Sequence, residues 1–202
     1  KEVSAHIGLP ITEVSDGRDI WKLFEDTKML GCQRLSQCSR MLKQKLGDKF
    51  IRANLPAKVY FGFTPDEQDR ADRITVKLEM MGAEAGFPLI DLGITKEECL
   101  HRVVNCWGVA LPEMYTWAEH ANCVPCVKGG LAYWGMVYKN ARYAWDKAVD
   151  AEKRHGQQIL KNTRYGTLEQ ELDHCLKLAD KYEEKRRKGL KQQSLFPQPC
   201  SE

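Results

Sequence analysis

Two short runs of β-forming residues, each followed by a helical pattern, restrict the fold of this chain most strongly. The first run, residues 58–63, predicts a buried strand, and the Pro-Asp-Glu sequence after it opens a helix expected to span residues 65–81. The second run, residues 87–92, predicts another strand, and Thr95 can cap the next helix. Strands that alternate with helices form parallel sheets, because each helix returns the chain to the same sheet edge. We therefore predict an α/β fold with a parallel, Rossmann-like sheet.

Helical patterns dominate the rest of the chain. Asp19 can cap a helix that contains Leu23 and Phe24. Apolar residues at helical spacing predict three further helices, over residues 34–50, 131–154 and 168–192. Residues 11–14, which follow a proline, predict one more short strand.

The length of 202 residues suits a compact domain with a helical tail. We assign residues 1–150 to the α/β domain and residues 151–202 to a helical C-terminal extension. The last stretch, residues 194–202, contains two prolines and is expected to be irregular. Because the chain begins with lysine rather than methionine, we expect that an N-terminal piece is missing from it.

The composition excludes several classes of protein. There are 31 Lys and Arg residues against 28 Asp and Glu residues, and the net charge of +3 permits an anionic ligand or nucleic acid without requiring either. The sequence contains neither an apolar stretch of about 18 residues nor a signal peptide, so we expect a cytoplasmic protein with no membrane partner. In that compartment the eight cysteines are expected to be reduced thiols or metal ligands.

The sequence Cys123-Val-Pro-Cys126 is the most informative short motif. Two thiolates at this spacing can chelate one metal ion or form a redox pair, although buried cysteines also serve as small hydrophobic residues. Within amphipathic helices, Cys99 and Cys175 fit the hydrophobic role better. Further ligands for a centre at the Cys123–Cys126 pair come from five candidates: Cys32, Cys38, Cys106, Cys200 and His120.

Several segments, taken in order, resemble the phosphoadenosine phosphosulfate (PAPS) reductase family of the PP-loop, or adenine nucleotide alpha-hydrolase-like, superfamily. The resemblance covers about residues 1–150. It rests on a cysteine followed by basic residues (residues 38–43), the strand–Gly–Glu–Arg segment (residues 59–70), the Pro-Leu-Ile-Asp sequence (residues 88–91) and the stretch from Trp107 to the cysteine pair.

Iron–sulfur members of this family hold a [4Fe–4S] cluster with a pair of cysteines and a distant Cys-x-x-Cys motif. The resemblance implies that Cys38, Cys123 and Cys126 are metal ligands here. Gln37 replaces the first cysteine of the family's tandem pair, so the fourth ligand stays open among Cys32, Cys106 and Cys200. Zinc is the competing occupant, because thiolates suit both metals.

The family also uses a C-terminal cysteine to attack sulfur. Cys200 is the corresponding catalytic candidate, although the residues around it, Pro-Cys-Ser-Glu, differ from the family's Glu-Cys-Gly-Leu-His. The sequence offers no cationic neighbour that would activate this thiol.

The resemblance further implies an adenine nucleotide, ATP or PAPS-like, as a ligand. Its candidate binding residues are Arg40, Lys43, Gly62, Glu67, Arg70 and Asp91. Ordinary structural roles are the alternative: a solvated helix face for the basic pair, a strand end for the glycine, and helix-terminal charges for the Glu and the second Arg. The superfamily's phosphate loop, Ser-Gly-Gly-x-Asp-Ser, is not found in the sequence, so we expect that the first βα unit either has been removed or is lacking.

The sequence thus favours an enzyme of sulfur metabolism, performing sulfonucleotide reduction or sulfur transfer to nucleic acid. Expected partners are an adenine nucleotide or sulfonucleotide, an electron or sulfur donor protein, and nucleic acid, which the basic run at residues 185–188 could contact. The alternative is a non-catalytic binding or regulatory module that keeps the fold and a structural metal site.

Overall fold

The computed structural model describes residues 2–118, 120–160 and 165–193. Within these residues the α-helices, in chain order, are α1 (Glu2–Ile7), α2 (Ile20–Thr27), α3 (Gln37–Ser39), α4 (Lys45–Ala53), α5 (Gln68–Glu79), α6 (Pro88–Asp91), α7 (Lys96–His101), α8 (Leu131–Asn140), α9 (Arg142–His155) and α10 (Leu172–Gln193). Two π-helical turns (Arg40–Gln44, Arg102–Cys106), two 3₁₀ turns (Pro65–Glu67, Glu113–Thr116) and two strands, β1 (Lys58–Tyr60) and β2 (Glu84–Gly86), complete the described structure.

The chain forms two compact units. Among the described residues, the first unit contains residues 2–15 and Gln44–Leu111, and the second contains Asp16–Lys43 and the residues from Pro112 onward. The domain boundary expected after residue 150 stays a prediction.

The first unit contains a parallel pair of strands. Strand β1 pairs with β2 in the register Lys58 to Glu84 and Tyr60 to Gly86. Gly86 is required here because a Cβ atom on it would lie 2.6 Å from the Tyr60 ring. Helix α5 connects the two strands and buries Leu78 against Met81 and Ala83. The mixed α/β class is therefore confirmed, whereas the described residues contain a two-stranded sheet in place of the full Rossmann-like sheet we expected.

Two of the expected strands are wrong. Residues 11–14 have no regular structure. In residues 87–92 the Asp91 N–H donates to the Phe87 carbonyl at 3.0 Å, so the segment forms helix α6, and the second strand lies earlier, at Glu84–Gly86. Pro88 explains the change, because its fixed φ suits the first turn of a helix and it has no N–H for a sheet.

The capping signals at the helix starts are confirmed. The Asp19 side chain accepts from the Lys22 N–H at 2.8 Å, and Thr95 forms a reciprocal capping box with Glu98. The expected helix over residues 131–154 is interrupted at Ala141 and continues as α9 to His155. Gly156, with φ of 58°, ends α9 in the left-handed conformation that glycine adopts readily.

The second unit has the larger hydrophobic core. Its centre consists of fully buried side chains from α2, from α8 and from the segments after α2, before α8 and between α9 and α10: Phe24, Leu30, Val127, Trp134, Val137, Ile159, Leu160 and Leu168. Helices α8 and α10 pack closely, because a Cβ atom on Gly135 would lie 2.2 Å from the Cys175 carbonyl oxygen. Lys139 of α8 also pairs with Asp180 and Glu183 of α10, at 2.5 and 3.0 Å.

One buried carboxylate fastens the turn after α9 to the chain before α10. Glu152 accepts from the Ile159 N–H at 2.8 Å and from the Leu168 N–H at 2.7 Å. Burial raises the pKa of this carboxyl group, and the two backbone donors lower it less. Among the described helices, none combines the length and apolar character required to span a membrane.

Candidate functional site

The three cysteines predicted to be metal ligands all belong to the second unit. Cys38 belongs to the short helix α3, and Cys123 and Cys126 lie in the loop that precedes α8. Burial raises the pKa of the Cys38 thiol, and the nearby Cys126 and Cys123 raise it further. All three are free thiols. We call Cys38, Cys123 and Cys126 the thiol site.

A tyrosine holds the loop of the cysteine pair in place. The Tyr133 hydroxyl accepts from the Cys126 N–H and donates to the Cys123 carbonyl, both at 2.7 Å. Burial raises the pKa of this phenol well above its usual range, so it stays protonated and can donate. One side chain on the first turn of α8 therefore fixes both ends of the Cys-x-x-Cys turn.

A glycine makes room for that tyrosine. A Cβ atom on Gly129 would lie 2.0 Å from the Tyr133 ring, so the position accepts no side chain while the ring stays where it is. The Gly129 N–H donates to the Cys126 carbonyl at 2.9 Å, and its carbonyl accepts from the Gln33 side chain at 3.0 Å. The loop is thus tied both to α8 and to the segment before Cys38.

A lysine contacts one of the thiols directly. The Lys43 Nζ donates to the Cys123 Sγ at 3.2 Å, and both side chains are exposed. Lys43 lies in the π-helical turn Arg40–Gln44, a kind of irregularity that is frequent at functional sites. The ammonium group can neutralise negative charge on sulfur. Lys43, expected to bind phosphate, is thus placed beside a thiol.

Among the residues that the structure describes, no three or more His, Cys, Asp or Glu side chains form a group that could hold a metal ion. Of the candidates for a further ligand, Cys32 is buried, and Cys106 takes part in a disulfide bond, so the expectation of a reduced thiol or metal ligand is wrong for Cys106. Cys200 lies outside the described residues, so its roles as a ligand and as a catalytic thiol stay predictions.

Three of the residues predicted to bind nucleotide lie close together in the first unit. Arg70 forms an ion pair with Glu67 at 2.7 Å, and its guanidinium lies 4.4 Å from the centre of the Phe63 ring. Gly62 precedes Phe63, is exposed, and has only the tip of Leu89, at 4.0 Å, near the position of a Cβ atom. A ligand can therefore approach the backbone at Gly62 closely.

Three aromatic rings pack together beside Gly62, Glu67 and Arg70. The rings of Phe61, Phe63 and Phe87 stack on one another with centroids 5.4 to 5.9 Å apart. The stack follows β1 and β2, at the carboxyl end of the parallel strands where ligands bind in open α/β sheets.

Two predicted nucleotide-binding residues occupy different settings. We expected Asp91 to end a strand, but it ends helix α6, which Pro88 begins. The Asp91 side chain is exposed. Arg40 is exposed on the π-helical turn of the second unit. Both stay predictions.

A pocket of about 230 Å³ opens beside the cysteine pair, in the second unit. We define this aromatic pocket by six of its lining residues: Trp117, His120, Asn122, Gly130, Tyr133 and Tyr182. The rings of Trp117 and Tyr133 form a tilted pair, with centroids 6.4 Å apart and planes inclined by 35°. Tyr133 therefore lines the pocket and also holds the loop that carries Cys123 and Cys126.

Comparisons of the chain with protein-family profiles, curated proteins and solved structures find no match.

The roles of Tyr133 and Gly129 were not predicted from the sequence. A tyrosine seven positions after Cys126 carries no recognised signature. The Gly-Gly sequence before α8 was the one available signal, since adjacent glycines can mark a close approach of other atoms to the backbone.

Proposed function

We propose that this chain is a PAPS-reductase-like enzyme of sulfur metabolism, which binds an adenine nucleotide and reduces or transfers sulfur at a thiolate metal centre. The observation that carries the proposal is the hydrogen bond from Lys43, five positions after Cys38, to Cys123, which joins two distant parts of the sequence. Residues that serve only as small hydrophobic groups do not require a neighbouring cation, whereas Lys43 contacts Cys123.

Three thiols suit a thiophilic metal by their chemical type, although the described residues do not place them as one group that could hold a metal ion. Three thiols are the ligands that iron–sulfur clusters and zinc share, and Cys38 brings the third from a separate helix. When bound, a cluster would supply electrons for sulfur reduction, whereas zinc would act as a Lewis acid or a structural ion. Cys38, Cys123 and Cys126 would hold either centre.

The chain's own residues have separable tasks around that centre. Tyr133 keeps the Cys-x-x-Cys turn closed through its two hydrogen bonds, and Lys43 offsets negative charge beside Cys123. In the first unit, the Arg70 guanidinium can donate to phosphate or sulfate oxygens, with Glu67 orienting it. The exposed backbone at Gly62 leaves space for the nucleotide.

Metal analysis of anaerobically purified protein tests the thiolate centre. We expect bound iron with acid-labile sulfide, or stoichiometric zinc, in the wild type and in Cys99→Ser, a matched control from helix α7. The variants Cys38→Ser, Cys123→Ser and Cys126→Ser should lose the metal. Iron with sulfide identifies a cluster and zinc alone excludes it. A wild type without metal, or thiol-site variants that keep it, would overturn the proposed centre.

Nucleotide titration tests the first unit separately. We expect Arg70→Ala to weaken the binding of ATP and of a sulfonucleotide by about ten-fold, the effect of losing a charged hydrogen bond. Arg73→Ala, an exposed arginine on the same helix, should leave the affinity unchanged. Equal affinities in all three proteins would remove Arg70 from the nucleotide site.

A further inference from the structure

We propose that the aromatic pocket binds a nucleobase together with its attached phosphate, and that this ligand is the substrate presented to the thiol site. As a statement about substrate the proposal rests on the proposed function, whereas binding in the pocket can be measured without it. The pocket and the thiol site both belong to the second unit, whereas Glu67 and Arg70, where the adenine nucleotide is expected, belong to the first.

Size and shape favour one planar ring system. The volume of about 230 Å³ is below the range of about 300–1,000 Å³ that drug-sized ligands occupy. The inclined rings of Trp117 and Tyr133 offer two aromatic faces, and stacking on such faces is how proteins hold unpaired bases. The wall at Gly130 is bare backbone, with no atom within 4 Å of the position of a Cβ atom.

The polar residues of the pocket suit the edge of a base. Asn122 provides an amide with both a donor and an acceptor, and His120 provides an imidazole. The Asn122 N–H donates to the His120 carbonyl at 2.9 Å, so the two residues form one tight turn at the rim. Donors and acceptors side by side are the groups that recognise the edge of a heterocycle.

Positive charge next to the pocket suits a phosphate. Tyr182 lies on α10, and Lys185 and Arg186 follow it by three and four positions, on the same helix face. Arg186 donates to the carbonyls of Tyr115 and Thr116, which fastens this part of α10 to the chain that leads into Trp117. Lys185 is exposed beside it and can reach a phosphate attached to the bound base.

Tyr133 connects the pocket to the thiols. Its ring forms a wall of the pocket, and its hydroxyl contacts Cys123 and Cys126 through the backbone. A base stacked on this ring therefore lies next to the loop that carries two of the three thiols.

Titration with uridine 5′-monophosphate tests the inference. Because uracil is a pyrimidine, a site selective for adenine would not account for its binding. We expect saturable binding to the wild type, weakened about 5- to 150-fold in Trp117→Leu, the range that loss of one base–aromatic stack produces. Tyr143→Leu, which removes an exposed aromatic ring of the same unit that does not line the pocket, should bind as the wild type does. Absence of binding to the wild type, or equal affinities of wild type and Trp117→Leu, would overturn the proposal.

Two further binding measurements identify the source of the base and the role of the phosphate. A short single-stranded RNA that binds more tightly than the mononucleotide identifies an unpaired base of nucleic acid as the ligand, and the reverse order identifies a free nucleotide. The wild type should bind uridine more weakly than uridine monophosphate. The Lys185→Ala variant should bind the two compounds with equal affinity. If uridine and the monophosphate bind the wild type equally, the phosphate part of the proposal is wrong.

The same proteins separate this proposal from the proposed function. Metal content is measured for Trp117→Leu, and uridine monophosphate binding is measured for Cys123→Ser. If the wild type holds metal but does not bind the nucleotide, the pocket assignment fails and the thiolate centre stands. If the nucleotide binds in a Trp117-dependent way and no metal is found, the pocket is a nucleobase site and the proposed sulfur chemistry fails.

Discussion

The ammonium group of Lys43 lies 3.2 Å from the sulfur of Cys123. This contact predicts that replacing Lys43 by Met slows the alkylation of Cys123 in the metal-free protein, because the anionic sulfur loses a stabilising cation. We expect a decrease of about two- to five-fold in the rate with iodoacetamide, since exposed charge pairs contribute up to about 1 kcal/mol. Mass spectrometry of the Cys123 peptide measures the rate. Lys45→Met, two positions away, should not change it.

Replacing Tyr133 by Phe should loosen the cysteine loop. The phenylalanine keeps the ring but removes the hydroxyl that bonds to the Cys123 carbonyl and the Cys126 N–H. We expect faster amide hydrogen exchange at Cys126 and a loss of about 1–3 kcal/mol in the free energy of unfolding, because buried polar groups lose their partner. Tyr143→Phe, on an exposed ring, is the control. Unchanged exchange at Cys126 would show that the tyrosine does not hold the loop.

The close packing of α8 on α10 predicts opposite effects for two glycine substitutions. Gly135→Ala should lower the free energy of unfolding by about 1–3 kcal/mol or more, because the new methyl group would overlap the Cys175 carbonyl and the helices must separate. Gly189→Ala in α10, with open space around it, should raise stability by up to about 1 kcal/mol through helix propensity. Urea unfolding of both variants checks the pair. Equal effects would contradict the helix contact.

Glu152 predicts a pH dependence of stability. Its pKa in the folded protein is raised above the ordinary value of 4.5, mainly by burial. The folded state therefore holds this proton more tightly than the unfolded state, and the stability that results is complete below pH 4.5 and declines as the pH rises through the raised pKa. In Glu152→Gln this dependence should disappear. The variant should also be less stable throughout, because an amide offers one acceptor where the carboxylate meets two backbone N–H donors.

Urea midpoints measured from pH 4.5 upward test this behaviour. The difference in the free energy of unfolding between wild type and Glu152→Gln should shrink as the pH rises. Glu113→Gln, an exposed substitution in the same unit, should follow the wild-type curve. A difference that is independent of pH would mean that Glu152 does not titrate with a raised pKa in the folded state.

The parts of the fold that follow local rules were predictable from the sequence. Asp19 and Thr95 cap the helices they were expected to cap, and β1 lies within its β-forming run. The prediction of a strand at residues 87–92 was wrong, because apolar composition does not distinguish a strand from a short helix, and Pro88 favours the helix. The break at Ala141 has no glycine or proline to mark it.

Less of the candidate site could be predicted. The resemblance selected Cys38, Cys123 and Cys126 from eight cysteines, and their role as ligands of one metal centre stays a prediction. The contact of Lys43 with Cys123 joins residues 80 positions apart and carries no periodic signal, and the hydrogen bonds of Tyr133 depend on how the loop folds back on α8. Spacing identified the donors, whereas tertiary structure determined which groups surround them.

X-ray absorption spectroscopy at the edge of the metal that copurifies with the chain tests the thiolate centre most directly. The account predicts a shell of sulfur neighbours at about 2.3 Å from the metal, the length of a metal–thiolate bond. It predicts that this shell is lost together with the metal in Cys38→Ser, as it is in Cys123→Ser. A shell of nitrogen and oxygen neighbours alone, or a sulfur shell that does not change when Cys38 is replaced, would contradict the assignment of Cys38, Cys123 and Cys126 as one centre.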